Sequence, residues 1–144
     1  RREIVSLRRR STVPIIWDEL ADSDNAIANL VAEDAAEGIG LKISKNGGLT
    51  RGRRQRDMCI AAGLTVSVQE TTGSDIAFAA IVQLGQTVPR RYLRCVLESR
   101  DMVSCKTADG DFPVVDGLVT APATPGIGIS PRLDVLGKPV ASYG

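Results

Sequence analysis

Short apolar runs alternate with longer amphipathic stretches over the first two thirds of the chain. The apolar runs predict four strands, at residues 13–17, 40–44, 64–68 and 92–97. Apolar residues at helical spacing between them predict three helices, at about residues 23–38, 50–62 and 73–84. Strands that alternate with helices in this way are typical of βαβ units around a parallel sheet.

Both ends of the chain depart from this alternation. Residues 1–10 place Ile4, Val5 and Leu7 among arginines, which predicts the end of a helix that leads into the first strand. Residues 106–144 are rich in glycine and proline and have no helical period of useful length. We therefore expect extended loops and short strands in that segment.

Four βα units are compatible with two α/β architectures. They make half of an eight-stranded (βα)8 barrel, which typically needs about 250 residues, or they make a small doubly wound sheet. Residues at the strand ends distinguish the two, because charged residues that end barrel strands point into one shared mouth.

Composition and charge exclude several classes of function. The 144 residues are 43% hydrophobic and 24% charged with a net charge of +1, which is typical of an ordinary globular chain. We interpret the arginines of residues 1–10 and 51–56 as solvated helix faces, and we expect no nucleic-acid partner. No apolar run approaches the roughly 20 residues of a membrane span, and no secretory signal is visible.

Cysteine and histidine usage narrows the chemistry further. The three cysteines, Cys59, Cys95 and Cys105, form no CxxC pair, so we expect a reducing cytoplasmic setting without a disulfide framework or a zinc site. Cys59 and Cys95 lie in helical and strand patterns, which favours small buried side chains. The chain has no histidine, so acid/base work falls to Lys, Asp, Glu, Tyr or Cys.

Two charged residues stand at strand ends where chemistry is expected. Asp18 directly follows the first apolar run, and Lys42 lies inside the second between Leu41 and Ile43. A lysine in a short buried strand needs a reason, because burial disfavours its charged form. Pairing with a core carboxylate or escape at a sheet edge would also explain Lys42, and a helix-capping or loop role would explain Asp18.

Several segments resemble the mandelate racemase/muconate lactonizing family of the enolase superfamily. The runs PIIWDE (residues 14–19) and GLKISKNGGLT (residues 40–50) resemble its fifth and sixth barrel strands, with the same 24-residue separation between Asp18 and Lys42. AAGL (residues 61–64) resembles part of its seventh unit. TPGIGI (residues 124–129) resembles its C-terminal segment.

The resemblance implies the fold and the domain organisation. The chain would be the C-terminal half of a (βα)8 TIM-type barrel, with strands five to eight in residues 1–105. Residues 106–144 would then pack toward the capping domain of the full-length enzyme. Such a half would lack most of an active site, so we expect the chain alone to be inactive.

The resemblance also implies roles for individual residues. Asp18 matches the last of three carboxylates that hold Mg²⁺, and Lys42 matches the acid/base lysine on the sixth strand, whose pKa a nearby metal and a second lysine should lower. Weaker matches to the substrate pocket are Lys45, Glu70, Thr71 and Glu98. For Lys45 we favour a loop or solvated role, and Glu98 would close the mouth, pair with Lys42 or form a structural ion pair.

Within the family, some segments resemble the cis-3-hydroxy-L-proline dehydratase group. These are residues 42–45, 66–71, 73–78, 100–103 and 131–137. The implied function is a magnesium-dependent lyase that abstracts the proton α to a carboxylate and eliminates water from a small amino-acid-like substrate. We expect a cytoplasmic enzyme that is a homo-oligomer at full length, with no membrane partner. A racemase, epimerase or cycloisomerase of the superfamily and a non-catalytic α/β binding module remain alternatives.

Overall fold

A computed structural model describes residues 2–71, 73–110 and 112–143 of the chain. Its helices are α1 (Arg2–Arg10), α2 (Asp24–Ala32), α3 (Ile43–Asn46), α4 (Gly48–Ala61), α5 (Asp75–Gln86) and α6 (Leu133–Leu136). Its strands are β1 (Ile16–Trp17), β2 (Gly38–Lys42), β3 (Thr65–Gln69), β4 (Leu93–Val96), β5 (Ala108–Asp109) and β6 (Ser130–Pro131). No helix in these ranges is both long and apolar enough to cross a bilayer.

The strands β1 to β4 form one sheet in which spatial order follows chain order. All three neighbouring pairs are parallel, with Trp17 opposite Ile39 and Lys42 opposite Gln69. A doubly wound sheet would reverse its strand order at a switch point, whereas a barrel adds strands in sequence. The predicted half barrel is therefore confirmed.

The core lies between this sheet and the helices. Ile39 and Leu41 of β2 and Val66 and Val68 of β3 have no exposed surface, and they belong to one buried apolar cluster with residues of α2, α4 and α5. Because side chains alternate along a strand, Lys42 projects to the opposite face. One face of the sheet is thus fixed by apolar packing, and the other is free to carry polar groups.

The bounds of the four strands differ from those predicted, and the largest differences are in β1 and β2. Strand β1 covers only Ile16–Trp17, because Pro14 lacks a donor and the N–H of Ile15 binds Oε2 of Glu37. Strand β2 ends at Lys42, and the predicted strand residues after it instead form the single turn α3, which Gly47 closes with a φ of 94°. Lys42 therefore stands at the carboxyl end of its strand.

The C-terminal segment packs onto α5. Phe112 and Ala121 are buried in the core, and Phe112 meets the ring of Phe78 edge-on at 6.2 Å between centroids. Strands β5 and β6 pair antiparallel, as the short strands expected there. The short helix α6 was not expected, because its four residues carry no readable period. Packing of this segment toward a capping domain stays a prediction.

The cysteines differ in burial. All three are free, and Cys59 is buried in α4 as expected. Burial raises the pKa of the Cys59 thiol to about 12, so it behaves as a small apolar side chain. Cys95 is exposed, so the predicted burial of this strand residue was wrong. Cys95 is paired with Ser67, on the face of the sheet opposite to Val66 and Val68 of the apolar core.

Candidate active site

Asp18 and Lys42 meet at the carboxyl ends of two neighbouring strands. Asp18 directly follows β1 and Lys42 ends β2, and the parallel pairing brings both ends to the same edge of the sheet. Nζ of Lys42 lies 2.8 Å from Oδ2 of Asp18, and the lysine side chain is 15% exposed. The structure thus places together the two residues that the sequence singled out.

Gly40 makes room for this approach. A Cβ at Gly40 would lie 3.0 Å from Oδ1 of Asp18 and 2.9 Å from Nε2 of Gln69. Both distances are shorter than ordinary contacts between side-chain atoms. The absence of a side chain at Gly40 therefore lets the Asp18 carboxylate lie close to β2, beside Lys42.

Glu19 is a member of the site that the sequence analysis missed. Its Oε1 accepts a hydrogen bond from Nζ of Lys42 at 2.8 Å, and its Oε2 accepts one from Nζ of Lys45 at 2.5 Å. These two hydrogen bonds hold the pKa of the Glu19 carboxyl at about 2. The clue in the sequence was its position next to Asp18, facing two lysines spaced three residues apart.

The two carboxylates set the charge of Lys42. The hydrogen bond to Asp18, followed by the one to Glu19, raises the pKa of the Lys42 amine, and partial burial opposes the rise only in part. The sequence analysis expected a lowered pKa, and the structure gives the opposite direction because carboxylates surround the amine. Lys42 is therefore a protonated amine at neutral pH in this arrangement.

The weaker pocket candidates occupy different positions. Oγ1 of Thr71 lies 2.8 Å from Oγ of Ser44, so Thr71 reaches the turn after Lys42. Glu70 is buried and accepts a hydrogen bond from the Ser99 hydroxyl. Substrate contact by Thr71, Glu70 or Lys45 stays a prediction.

Glu98 pairs with an arginine. Its carboxylate accepts hydrogen bonds from Nε and Nη2 of Arg100, at 2.8 and 2.7 Å. The hydrogen bond from Arg100 lowers the pKa of the Glu98 carboxyl. Of the roles considered for Glu98, the structure shows the ion pair, and its partner is Arg100 and not Lys42.

The side chains of this site suit a magnesium ion only in part. The Asp18 carboxylate is a hard oxygen ligand of the kind that Mg²⁺ prefers. However, no group of three Asp, Glu or Cys side chains that could hold a metal occurs within residues 2–71, 73–110 and 112–143. These residues therefore fit one ligand position and do not by themselves complete a magnesium site.

Comparison with known proteins fits this geometry. A family model described as "Enolase C-terminal domain-like" matches residues 1–135. The chain belongs to this family. It is 41% identical over 141 residues to a cis-3-hydroxy-L-proline dehydratase of Roseibium aggregatum, covering 98% of this chain and 38% of that protein. The predicted family, and the dehydratase group within it, are thus supported.

Solved structures show the same enolase-type fold. A mandelate racemase/muconate lactonizing enzyme from Aspergillus oryzae is 69% identical with a TM-score of 0.92, over 99% of this chain and 39% of that one. One from Roseovarius nubinhibens, complexed with magnesium, is 43% identical with a TM-score of 0.92, over 100% of this chain and 39% of that one. The chain thus spans under two fifths of the length of these relatives.

Proposed function

We propose that this chain forms part of the active site of an enolase-superfamily hydro-lyase. The enzyme would remove the proton α to a carboxylate and eliminate water, with cis-3-hydroxy-L-proline as the substrate. The observation that carries the proposal is the contact between Lys42 and Asp18 at the ends of neighbouring barrel strands. The 41% identity to the Roseibium dehydratase supports the choice of substrate.

We assign Lys42 the role of general acid. In cis-3-hydroxy-L-proline the hydroxyl and the carboxylate share one face of the ring, so the α-proton lies on the other face, anti to the leaving group. A base on that face takes the α-proton, the C–O bond breaks, and the departing hydroxide takes a proton from Lys42 to leave as water. The enamine that remains tautomerises to the pyrroline carboxylate. The contacts with Asp18 and Glu19 keep the amine protonated, and a general acid must be protonated before it donates.

We assign Asp18 as one magnesium ligand, with the other ligands and the base supplied from outside this chain. A bound magnesium ion would supply positive charge beside the substrate carboxylate, which makes the α-proton more acidic. Glu19 would hold Lys42 and Lys45 in place from the solvent side. Homo-oligomeric assembly and a cytoplasmic location stay predictions.

The assignment of Lys42 is tested by substitution in the complete enzyme, meaning a polypeptide in which the rest of the barrel and the capping domain precede this chain. Lys42→Ala should reduce dehydration of cis-3-hydroxy-L-proline by at least about 10²-fold, since general acid catalysis is typically worth about 10²–10⁴-fold. Lys138→Ala, an exposed lysine in the C-terminal segment, is the matched control and should keep full activity.

Two further results would separate the parts of this proposal. Full turnover by Lys42→Ala would contradict the acid role. Exchange of the α-proton with D₂O in the parent enzyme, without loss of water, would instead favour a racemase. The isolated chain, assayed with the same substrate and magnesium, should show no turnover.

A further inference from the structure

Two uncharged polar side chains are buried directly behind the turn that carries the lysines. Asn46 ends α3 and is 4% exposed, and Gln55 lies in α4 and is 1% exposed. Burial of an amide without hydrogen-bond partners is unfavourable in proteins. Both amides should therefore be hydrogen-bonded to other residues.

The two amides form a chain of hydrogen bonds that links four segments. Nδ2 of Asn46 donates to the carbonyl oxygen of Ala21 at 3.1 Å and to Oε1 of Gln55 at 2.9 Å. Nε2 of Gln55 donates to Oδ1 of Asp24, at the start of α2, at 2.8 Å. The loop after β1 and the first turn of α2 are thereby tied to α3 and α4.

This chain joins the two halves of the candidate site. Ala21 follows Glu19 by two residues, and its N–H donates to the carbonyl oxygen of Asp18 at 3.0 Å, which closes the turn that carries both carboxylates. Asn46 follows Lys42 by four residues and is the last residue of α3, the turn that begins directly after Lys42. One buried amide thus fixes the position of the turn with the acids relative to the turn with the lysine.

Within the described part of the chain, one polar atom of the Asn46 side chain lacks a hydrogen-bond partner, which favours a role in positioning neighbouring residues over a role in stability alone. Among the described residues its Oδ1 is buried and has no hydrogen-bond partner. An unpartnered buried acceptor is destabilising. The side chain is therefore not optimised for stability alone, and departures of this kind are expected where structure serves a site.

We propose that Asn46, held by Gln55, is a positioning residue for the reaction, and that it sets the placement of Lys42 relative to Asp18. The inference rests on the proposed function. Neither amide contacts the reacting atoms, and both act through the two turns. Because displacement of a catalytic group by about 1 Å can lower a rate about 10²-fold, loss of the tie should slow catalysis more than it weakens binding.

The test uses Asn46→Ala in the complete enzyme. We expect kcat to fall about 10- to 100-fold while KM stays nearly constant. Thr107→Val is the matched control, because it also removes a buried hydrogen bond between distant segments but lies away from Lys42. It should lower the melting temperature and leave kcat unchanged.

A double substitution checks that both amides act through one chain. Asn46→Ala combined with Gln55→Met should lower kcat no further than Asn46→Ala alone, because the tie is already broken. If Asn46→Ala does not fold, Gln55→Met alone should still lower kcat, by a smaller factor, since the bond from Asn46 to Ala21 remains.

The outcomes distinguish this inference from the proposed function. If Lys42→Ala retains turnover, the proposed acid role fails. If Lys42→Ala is inactive but Asn46→Ala, or Gln55→Met in its place, changes only the melting temperature, the positioning role is overturned and the proposed function stands.

Discussion

At the scale of single residues, the close approach of Asp18 to Lys42 depends on Gly40. Because a Cβ at that position would fall 3.0 Å from Oδ1 of Asp18, Gly40→Ala should push the carboxylate away from the amine by a few tenths of an ångström. In the complete enzyme we expect kcat to fall about 10-fold, with little loss of stability, since the side chains that must move end in flexible groups. Steady-state kinetics and thermal unfolding of the variant measure both effects.

A second glycine provides the control for that substitution. A Cβ at Gly85 in α5 would collide with Cγ2 of Val96, in the packed interface between α5 and β4. Overpacking of a core interface typically costs about 1–3 kcal/mol. Gly85→Ala should therefore lower the melting temperature more than Gly40→Ala while leaving kcat per folded molecule unchanged. An unchanged kcat in Gly40→Ala would show that the placement of Asp18 does not depend on this gap.

The sequence revealed the principal residues of the site but not all of their partners. Asp18 could be found because it directly follows an apolar run, and Lys42 because it lies inside one, where a charge is unusual. Glu19 stands next to Asp18, but its role could not be assigned, because it depends on two lysines that lie 23 and 26 residues away and reach it only after the strands pair. The chain from Asn46 to Gln55 was hidden for the same reason, since its hydrogen bonds span 25, 9 and 31 residues.

At the scale of elements, local apolar spacing predicted the order of the main strands and helices. It could not place the end of β2, because a buried apolar residue such as Ile43 fits a strand as well as it fits the turn α3. It could not find α6, and it gave β1 too many residues, because the ladder there is limited by Pro14 and by a side chain 22 residues away. The spacing of apolar residues along the chain therefore cannot predict a strand boundary that depends on a residue distant in sequence.

The start of α5 is linked to the C-terminal segment by a carboxylate. Oδ2 of Asp75 accepts hydrogen bonds from the backbone N–H of Thr107 at 2.7 Å and from its hydroxyl at 3.2 Å. Burial raises the pKa of Asp75, but the hydrogen bonds from the backbone of Thr107 and Ala108 and from the Thr107 hydroxyl, with the charge of Arg100, outweigh it and lower the pKa below 3.8. The link therefore depends on the ionised form.

This link predicts a pH-dependent contribution to stability. Because the folded pKa of Asp75 is below its unfolded value of 3.8, the contribution is fully present above pH 3.8 and is lost as the pH falls through the folded pKa. Asp75→Asn should lower the free energy of unfolding by about 1 kcal/mol at neutral pH, and the difference from the parent should shrink in acid. Urea unfolding at a series of pH values measures this. Asp109→Asn, an exposed carboxylate on the neighbouring strand, is the control, and an equal effect of both substitutions at every pH would contradict the prediction.

At the scale of the whole molecule, the described sheet has two edges. Strand β1 pairs with β2 alone and β4 with β3 alone among residues 2–71, 73–110 and 112–143. Ile16 at one edge and Leu97 beside the other are 37% and 43% exposed. In a closed barrel each edge would pair with a further strand, which removes the unpaired backbone groups. In the described part of the chain, unpaired backbone groups and exposed apolar side chains thus lie together at both edges of the sheet.

Exposed edges of this kind favour pairing between copies, so the isolated chain should associate as its concentration rises. Sedimentation velocity over a wide concentration range, under reducing conditions that keep Cys95 a free thiol, measures this. Cys95→Lys places a charge on the edge strand and should weaken the association. Thr50→Lys adds the same charge on an exposed turn of α4 and should leave the association unchanged.

A chain that sediments as a monomer at every concentration would mean that the edges of its sheet are already protected. Equal weakening by both substitutions would instead assign the association to net charge and not to β4.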